Sequence, residues 1–246
     1  KKRLKDMAAQ LIAVAAARLK RPAHRYQLAP GFFEGFNARF PYELTEDQER
    51  SVEDVVTDMA SGIPMDRLIC GDVGFGKTEV ALRAAFIAVM EGKQVAMVTP
   101  TTLLSRQHYK TFSERFNGYP VNVRVLSRLT KAREQEQIKL GMSDGTLDIV
   151  IGTHAILSES VRIRDLGLLI VDEEQHFGVK HKERIKSLKN GVHVLTMTAT
   201  PIPRTLQMAL NGLRELSLIA TPPIDRLAVR TFIMPFDGIT VREAIM

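Results

Sequence analysis

The stretch GDVGFGKTEVALRAAF, residues 71–86, sets Gly71, Gly76, Lys77 and Thr78 at the spacing G-x-x-x-x-G-K-[ST], which is that of a phosphate cradle. Glycines let the backbone curl until successive N–H groups face one anion, and a helix starting there adds the partial positive charge of its N-terminus. The pattern requires a strand before it and a helix after it; RLIC and TEVALRAAFIAVM supply both. Lys77 is then placed to reach the β and γ phosphates of a nucleoside triphosphate, and the Thr78 hydroxyl to ligate magnesium. The expected nucleotide-binding set is Gly71, Asp72, Val73, Gly74, Phe75, Gly76, Lys77, Thr78 and Glu79, with ATP or ADP and Mg2+ as cofactors.

A phosphate cradle turns into a catalyst when a carboxylate stands on the metal side. In LGLLIVDEEQH, Asp172 follows four apolar residues and is placed to hold the magnesium shell, with Glu173 beside it to orient and deprotonate an attacking water. Three consecutive carboxylates at the end of a strand repel one another, and a divalent cation relieves that repulsion. The alternative is an acidic cluster that caps a helix. Phosphoryl transfer is favoured over binding alone, with Lys77, Asp172 and Glu173 as the catalytic group and Thr78 and Asp172 as the metal-side pair.

These residues need a scaffold that brings strand ends together. From residue 67 onward, RLICG, QVAMVTP, VNVRVLS, LDIVIGT, LGLLIVDE, HVLTMTAT and LSLIAT are runs of Val, Ile and Leu that mostly lack alternation, as in a parallel sheet covered on both faces. Amphipathic stretches at 79–90, 103–116 and 131–142 are long enough for crossover helices. The expected fold is α/β, a P-loop lobe on a mostly parallel, doubly wound sheet. Residues 22–39 hold proline, glycine and aromatics without period and read as a linker; TPPIDR near residue 221 reads as an exit.

At the N-terminus, Leu4, Met7, Ala8, Leu11, Ile12, Ala15 and Leu19 share one helical stripe between basic flanks, so residues 1–21 read as an amphipathic helix rather than a leader. The first residue is not Met and TVREAIM stops within a helix-like pattern, which reads as a piece of a longer chain. No apolar run approaches the ~20 residues of a membrane span. The formal charge of +6 favours a polyanionic partner. A single cysteine, Cys70, excludes an intrachain disulfide and any cysteine-cluster metal site.

The motifs GDVGFGKT, TPTTLL, GTHAIL, VDEEQ and TATPIPRT stand in the order of motifs I, Ia, Ic, II and III of superfamily 2 helicases and translocases, over nearly all of residues 40–221. More narrowly, FPYELTEDQ, MDRLICGDVGFGKTEVALRAAF, HKERIKSL and TATPIPRTLQMAL resemble the first motor lobe of the bacterial transcription-repair coupling factors. A second relative, the branch-migrating replication-fork helicase, shares several of these motifs but usually has serine where Phe75 stands.

The resemblance implies a cytoplasmic, RecA-like lobe that binds ATP and double-stranded DNA and moves along the duplex without separating its strands. In full-length members that motion displaces stalled RNA polymerase and recruits excision-repair proteins through modules outside this chain. It implies residues 1–21 as a tether to an upstream module, 22–39 as linker, 40–221 as the first motor lobe, and 222–246 as exit linker and start of a second lobe.

By position in the motifs, Gln48 reads the adenine edge, or caps a helix, and Phe40 or Tyr42 stacks on the base. Thr101, Thr102, Arg128, Thr153 and His154 match the DNA contacts, and hydroxyls, backbone amides and an arginine suit phosphates. Gln175, Thr198, Thr200 and Arg204 match the positions that couple nucleotide state to DNA grip. His176 departs from the arginine usual after the acidic motif. The basic stretch VKHKERIKSLKN reads equally as a solvated helix or a DNA contact. No later motif carrying an arginine finger follows, so this piece is expected to bind nucleotide and hydrolyse weakly; a nucleotide-dependent binding module without turnover is the reading from another class.

Overall fold

Among the described residues, seven apolar runs form strands: β1 (Asp66–Gly71), β2 (Gln94–Val98), β3 (Val123–Leu126), β4 (Ile149–Gly152), β5 (Leu166–Asp172), β6 (His193–Thr198) and β7 (Glu215–Ile219). They pair side by side in the order β3-β4-β2-β5-β6-β1-β7, every pairing parallel. The computed structural model describes residues 22–27, 31–188, 191–199, 215–223 and 233–245. The expected helix over 1–21, and Thr200 and Arg204, lie outside them.

The period-two geometry of a strand divides each run between two cores. Val95 and Met97 of β2, Ile149 and Ile151 of β4, and Leu168 and Ile170 of β5 enter one core. Their neighbours Ala96, Val98, Val150, Leu169 and Val171 enter the other. Both faces are therefore dry, which is why these strands show no polar alternation.

The helices named in chain order are α1 (Phe32–Asn37), α2 (Glu46–Ala60), α3 (Lys77–Met90), α4 (Thr102–Arg115), α5 (Ala132–Asp144), α6 (Val179–Leu188) and α7 (Gly238–Ile245). Helices α2, α3 and α4 cover the first face with Val55, Met59, Phe86 and Phe112. Helices α5 and α6 cover the second with Ile138, Met142 and Ile185. Burying each such side chain contributes about 1.5–3 kcal/mol before entropy is counted. Helix α3 is buried at every position from Glu79 to Val89, apolar except for the paired Glu79 and Arg83. Helix α7 has no buried residue.

Residues 22–27 and 31–39, read from sequence as linking, contribute Tyr26 and Phe36 to the first core. Phe36 stacks on Phe86 at 4.2 Å and 20°. These aromatics anchor the chain one at a time, so no period announces them. At the other end, Asp47 in the first turn of α2 accepts from Ala220 N at 2.9 Å and from Thr221 N and Oγ1 at 3.0 Å. That grip fixes the chain as it leaves β7.

Candidate active site

The C-terminal ends of parallel strands share one edge of the sheet, where loops from β1, β2, β4, β5 and β6 converge. Beyond β1 the chain turns through Gly74 (φ 80°) and Gly76 (φ 82°) into helix α3, which starts at Lys77. Gly76 is the helix cap in the left-handed region. That conformation requires glycine, and a Cβ there would also displace the amide of Gln48. Helix α3 begins at this edge, and a helix N-terminus is where backbone N–H groups and the helix dipole favour an anion.

Lys77 Nζ donates to the carbonyls of Gly71 at 2.6 Å and Asp72 at 3.0 Å. Burial lowers its pKa below the usual lysine value, and the nearby carboxylates of Glu173 and Asp172 oppose that shift. The P-loop lysine and the acidic motif, about a hundred positions apart in the chain, thus act on one another.

Next to the loop opens a cleft of ≈ 590 Å³ lined by Phe40, Tyr42, Gln48, Gly74, Gly76, Thr78 and Glu79, among others. The cradle and the base-side residues expected from sequence therefore share one cavity. Gln48 is 3% exposed and its amide is engaged on both ends: Oε1 accepts from Thr45 N at 3.1 Å, and Nε2 donates to Phe75 O at 2.9 Å. It closes the capping box of α2 with Thr45 and ties that helix to the P-loop. Of the two roles open to Gln48, the capping role is the one these bonds describe. Glu79 is buried and pairs with Arg83 at 3.0 Å and Arg115 at 2.8 Å, so its carboxylate is committed to the cleft wall. Arg115 lies over the Phe36 ring at 4.3 Å and near Phe40 at 5.6 Å.

Asp172 ends β5 at 7% exposure and accepts from His108 Nε2 at 3.0 Å. Glu173 follows with φ 50° and ψ 55°, the one non-glycine with positive φ among the described residues. Such a conformation costs on the order of 1–3 kcal/mol and persists only when its surroundings hold it. Here they do: Oε1 accepts from Ala199 N at 2.7 Å and Oε2 from Thr198 Oγ1 at 3.0 Å. Gln175 Nε2 donates to the same carboxylate, and Thr198 Oγ1 also reaches Gln175 Oε1 at 3.4 Å. The base candidate and two of the expected coupling residues form one cluster.

Around this edge, Thr101 caps helix α4, its Oγ1 accepting from Leu104 N at 3.2 Å. Thr101 and Arg128 are exposed and Thr102 half-buried. Thr153 is 4% exposed, so its side chain is not on the surface where a DNA contact was expected; its N–H donates to Leu126 O at 3.3 Å. His154 is exposed and stacks on His181 of α6 at 5.1 Å. His176 is exposed in a short 3-10 turn.

His108 was not anticipated. It shares the buried stripe of α4 with Ser105 and Phe112, and a polar residue on such a stripe is its sequence signal. The partner lies 64 positions away, beyond the reach of any local pattern.

A glycine-turned helix N-terminus beside the buried carboxylate end of a parallel strand defines a RecA-like P-loop lobe. The DEAD/DEAH box helicase family model matches residues 45–209, and the chain belongs to that family. It is 52% identical over 244 residues to the transcription-repair-coupling factor of Haemophilus influenzae and 51% identical over 244 residues to that of Escherichia coli K12. Each match covers 99% of this chain and 21% of the relative, so the chain spans about a fifth of their length. A solved structure of RecG bound to a three-way DNA junction matches with TM-score 0.82 and 33% identity, over 99% of this chain and 34% of that one.

Proposed function

We propose that this chain is the ATP-binding first motor lobe of a duplex-DNA translocase that displaces stalled RNA polymerase at lesions and promotes excision repair. The observation that carries the proposal is the Glu173 cluster: a carboxylate held by Thr198 and Ala199 at the edge where the charges of Glu173 and Asp172 act on Lys77.

The residues fit magnesium-nucleotide. Among the described residues no three His, Cys, Asp or Glu side chains converge into a metal cage. Magnesium keeps several waters and takes one or two carboxylates plus substrate phosphates, so Asp172 with the Thr78 hydroxyl is a sufficient protein share. When bound, the nucleotide supplies a transferable γ-phosphoryl group and magnesium offsets its charge.

The chain's own part is positioning. Lys77 and the P-loop N–H groups hold the phosphates, and Phe40 and Tyr42 border the space for the base. Glu173 takes a proton from water at a carboxylate oxygen. Because that carboxylate is bonded to Thr198, Ala199 and Gln175, a shift at the end of β6 reaches the base directly, and this is the proposed route by which DNA grip and hydrolysis are coupled. Thr101, Thr102, Arg128 and His154 offer contacts to DNA phosphates, which hold a strand without reading its sequence.

The second motor lobe, the polymerase contact and the repair-protein contact are assigned to parts of the protein outside this chain. The site of action is the cytoplasm, and no described helix is long and apolar enough to cross a membrane. The test is ATP-dependent release of a stalled RNA polymerase from duplex DNA by the intact protein. Release supports the reading; unwinding of three-way junctions without release favours the fork-helicase alternative.

A further inference from the structure

We infer that His108 is a positioning residue for the magnesium carboxylate: its Nε2–H fixes Asp172 Oδ2 and leaves the other carboxylate oxygen aimed at the metal side. The inference rests on the reading of Asp172 as the magnesium carboxylate.

Both partners are buried, His108 at 8% and Asp172 at 7% exposure, and their atoms lie 3.0 Å apart. An ionised carboxylate only accepts, so Nε2 carries the hydrogen. In a site of low dielectric such a bond is stronger than in water. An imidazole on the buried face of α4 is costly unless bonded, and a hydrophobic residue would pack there more simply. The bond therefore accounts for the histidine.

Helix α4 is itself held at three points, so the donor has little freedom. Thr101 caps its start, Ser105 Oγ bonds Thr99 Oγ1 at 2.7 Å, and Arg115 at its end reaches Glu79 and Phe36 O. A ligating carboxylate held by a rigid partner is the arrangement that tunes metal affinity. The same helix bears Thr101 and Thr102 at its N-terminus, which places the metal carboxylate one rigid element away from the expected DNA contacts.

The test measures ADP binding by the intact protein, by titration calorimetry, in magnesium and in EDTA. The ratio of the two affinities reads the magnesium contribution with no turnover involved. His108→Leu is expected to lower that ratio by about tenfold or more with the EDTA affinity unchanged, and His108→Gln, which keeps a donor at similar reach, to retain it within about threefold. If Leu and wild type show the same ratio, or if Gln loses as much as Leu, the inference is overturned. Should His108→Leu fail to melt cooperatively, His108→Asn replaces it, because its amide falls short of Asp172 and the same contrast with Gln is expected. Asp172→Ala serves as reference: if it leaves the ratio unchanged, the reading of Asp172 fails, whereas a drop there without one in His108→Leu overturns the role of His108 alone.

Discussion

Thr198 Oγ1 donates to Glu173 Oε2 at 3.0 Å, joining the end of β6 to the residue after β5. The bond meets a backbone held at φ 50°, so the position of the carboxylate is set from both sides. Replacing Thr198 by valine keeps the shape and removes the hydroxyl. Thr198→Val is expected to leave ATP affinity within about twofold while lowering kcat by roughly 10- to 100-fold through misplacement. Steady-state kinetics beside equilibrium nucleotide binding separate the two effects.

Glu173→Gln removes the proton acceptor and keeps the volume. Turnover should fall by about 10²–10⁴-fold, the usual contribution of a general base, with nucleotide binding retained. Loss of binding in parallel with turnover would assign Glu173 to the phosphate site instead.

At Gly76 two penalties act together. A left-handed alanine costs roughly 1–2 kcal/mol, and its Cβ meets the Gln48 amide as well. Gly76→Ala should lower the unfolding midpoint and abolish nucleotide binding. In the Gly76→Ala, Gln48→Ala double variant the steric part is relieved and the conformational part remains, so the two stability losses should fall short of additive. Additive losses would show that the contact carries no cost.

His193 links stability to pH. It is fully buried, with Nδ1 accepting from Met65 N at 3.2 Å and Nε2 donating to His24 O at 2.8 Å. Burial lowers its pKa, an effect that the His24 carbonyl bond and Asp58 oppose and that His24's own charge adds to. The unfolded chain therefore takes up this proton before the folded one does. The contribution is complete above the unfolded value of about 6.5 and is lost as pH falls below it, with a slope of at most about 1.4 kcal/mol per pH unit. Urea midpoints at pH 8 and 5.5 should differ in the wild type by more than in His193→Gln, which offers both a donor and an acceptor but does not titrate. Equal pH dependence would assign the effect to other groups.

Much of this architecture is legible in local patterns. The Val, Ile and Leu runs mark strands because both faces of the sheet are covered, and the glycine-lysine-threonine spacing marks its loop because backbone curvature and anion binding restrict those positions. The neighbourhood of Asp172 and Glu173 is legible for the same reason, since a strand end places them. The partners of these residues are less so. His108 meets Asp172 only through the crossover of α4, and Thr153 is buried where its N–H extends the pairing of β4 with β3 by donating to Leu126 O. Tyr26 and Phe36 are single anchors in a stretch without period. Gln48 is intermediate: T-x-x-Q is visible in TEDQ as a capping box, but its bond to the P-loop carbonyl of Phe75 is not.

The most direct test of the central claim is the ATP turnover of the intact protein with and without duplex DNA, measured beside Lys77→Ala. Turnover that DNA stimulates and Lys77→Ala abolishes is the result expected of a lobe that drives a DNA motor. Nucleotide binding with no DNA-stimulated turnover, or turnover that survives the loss of Lys77, would contradict it.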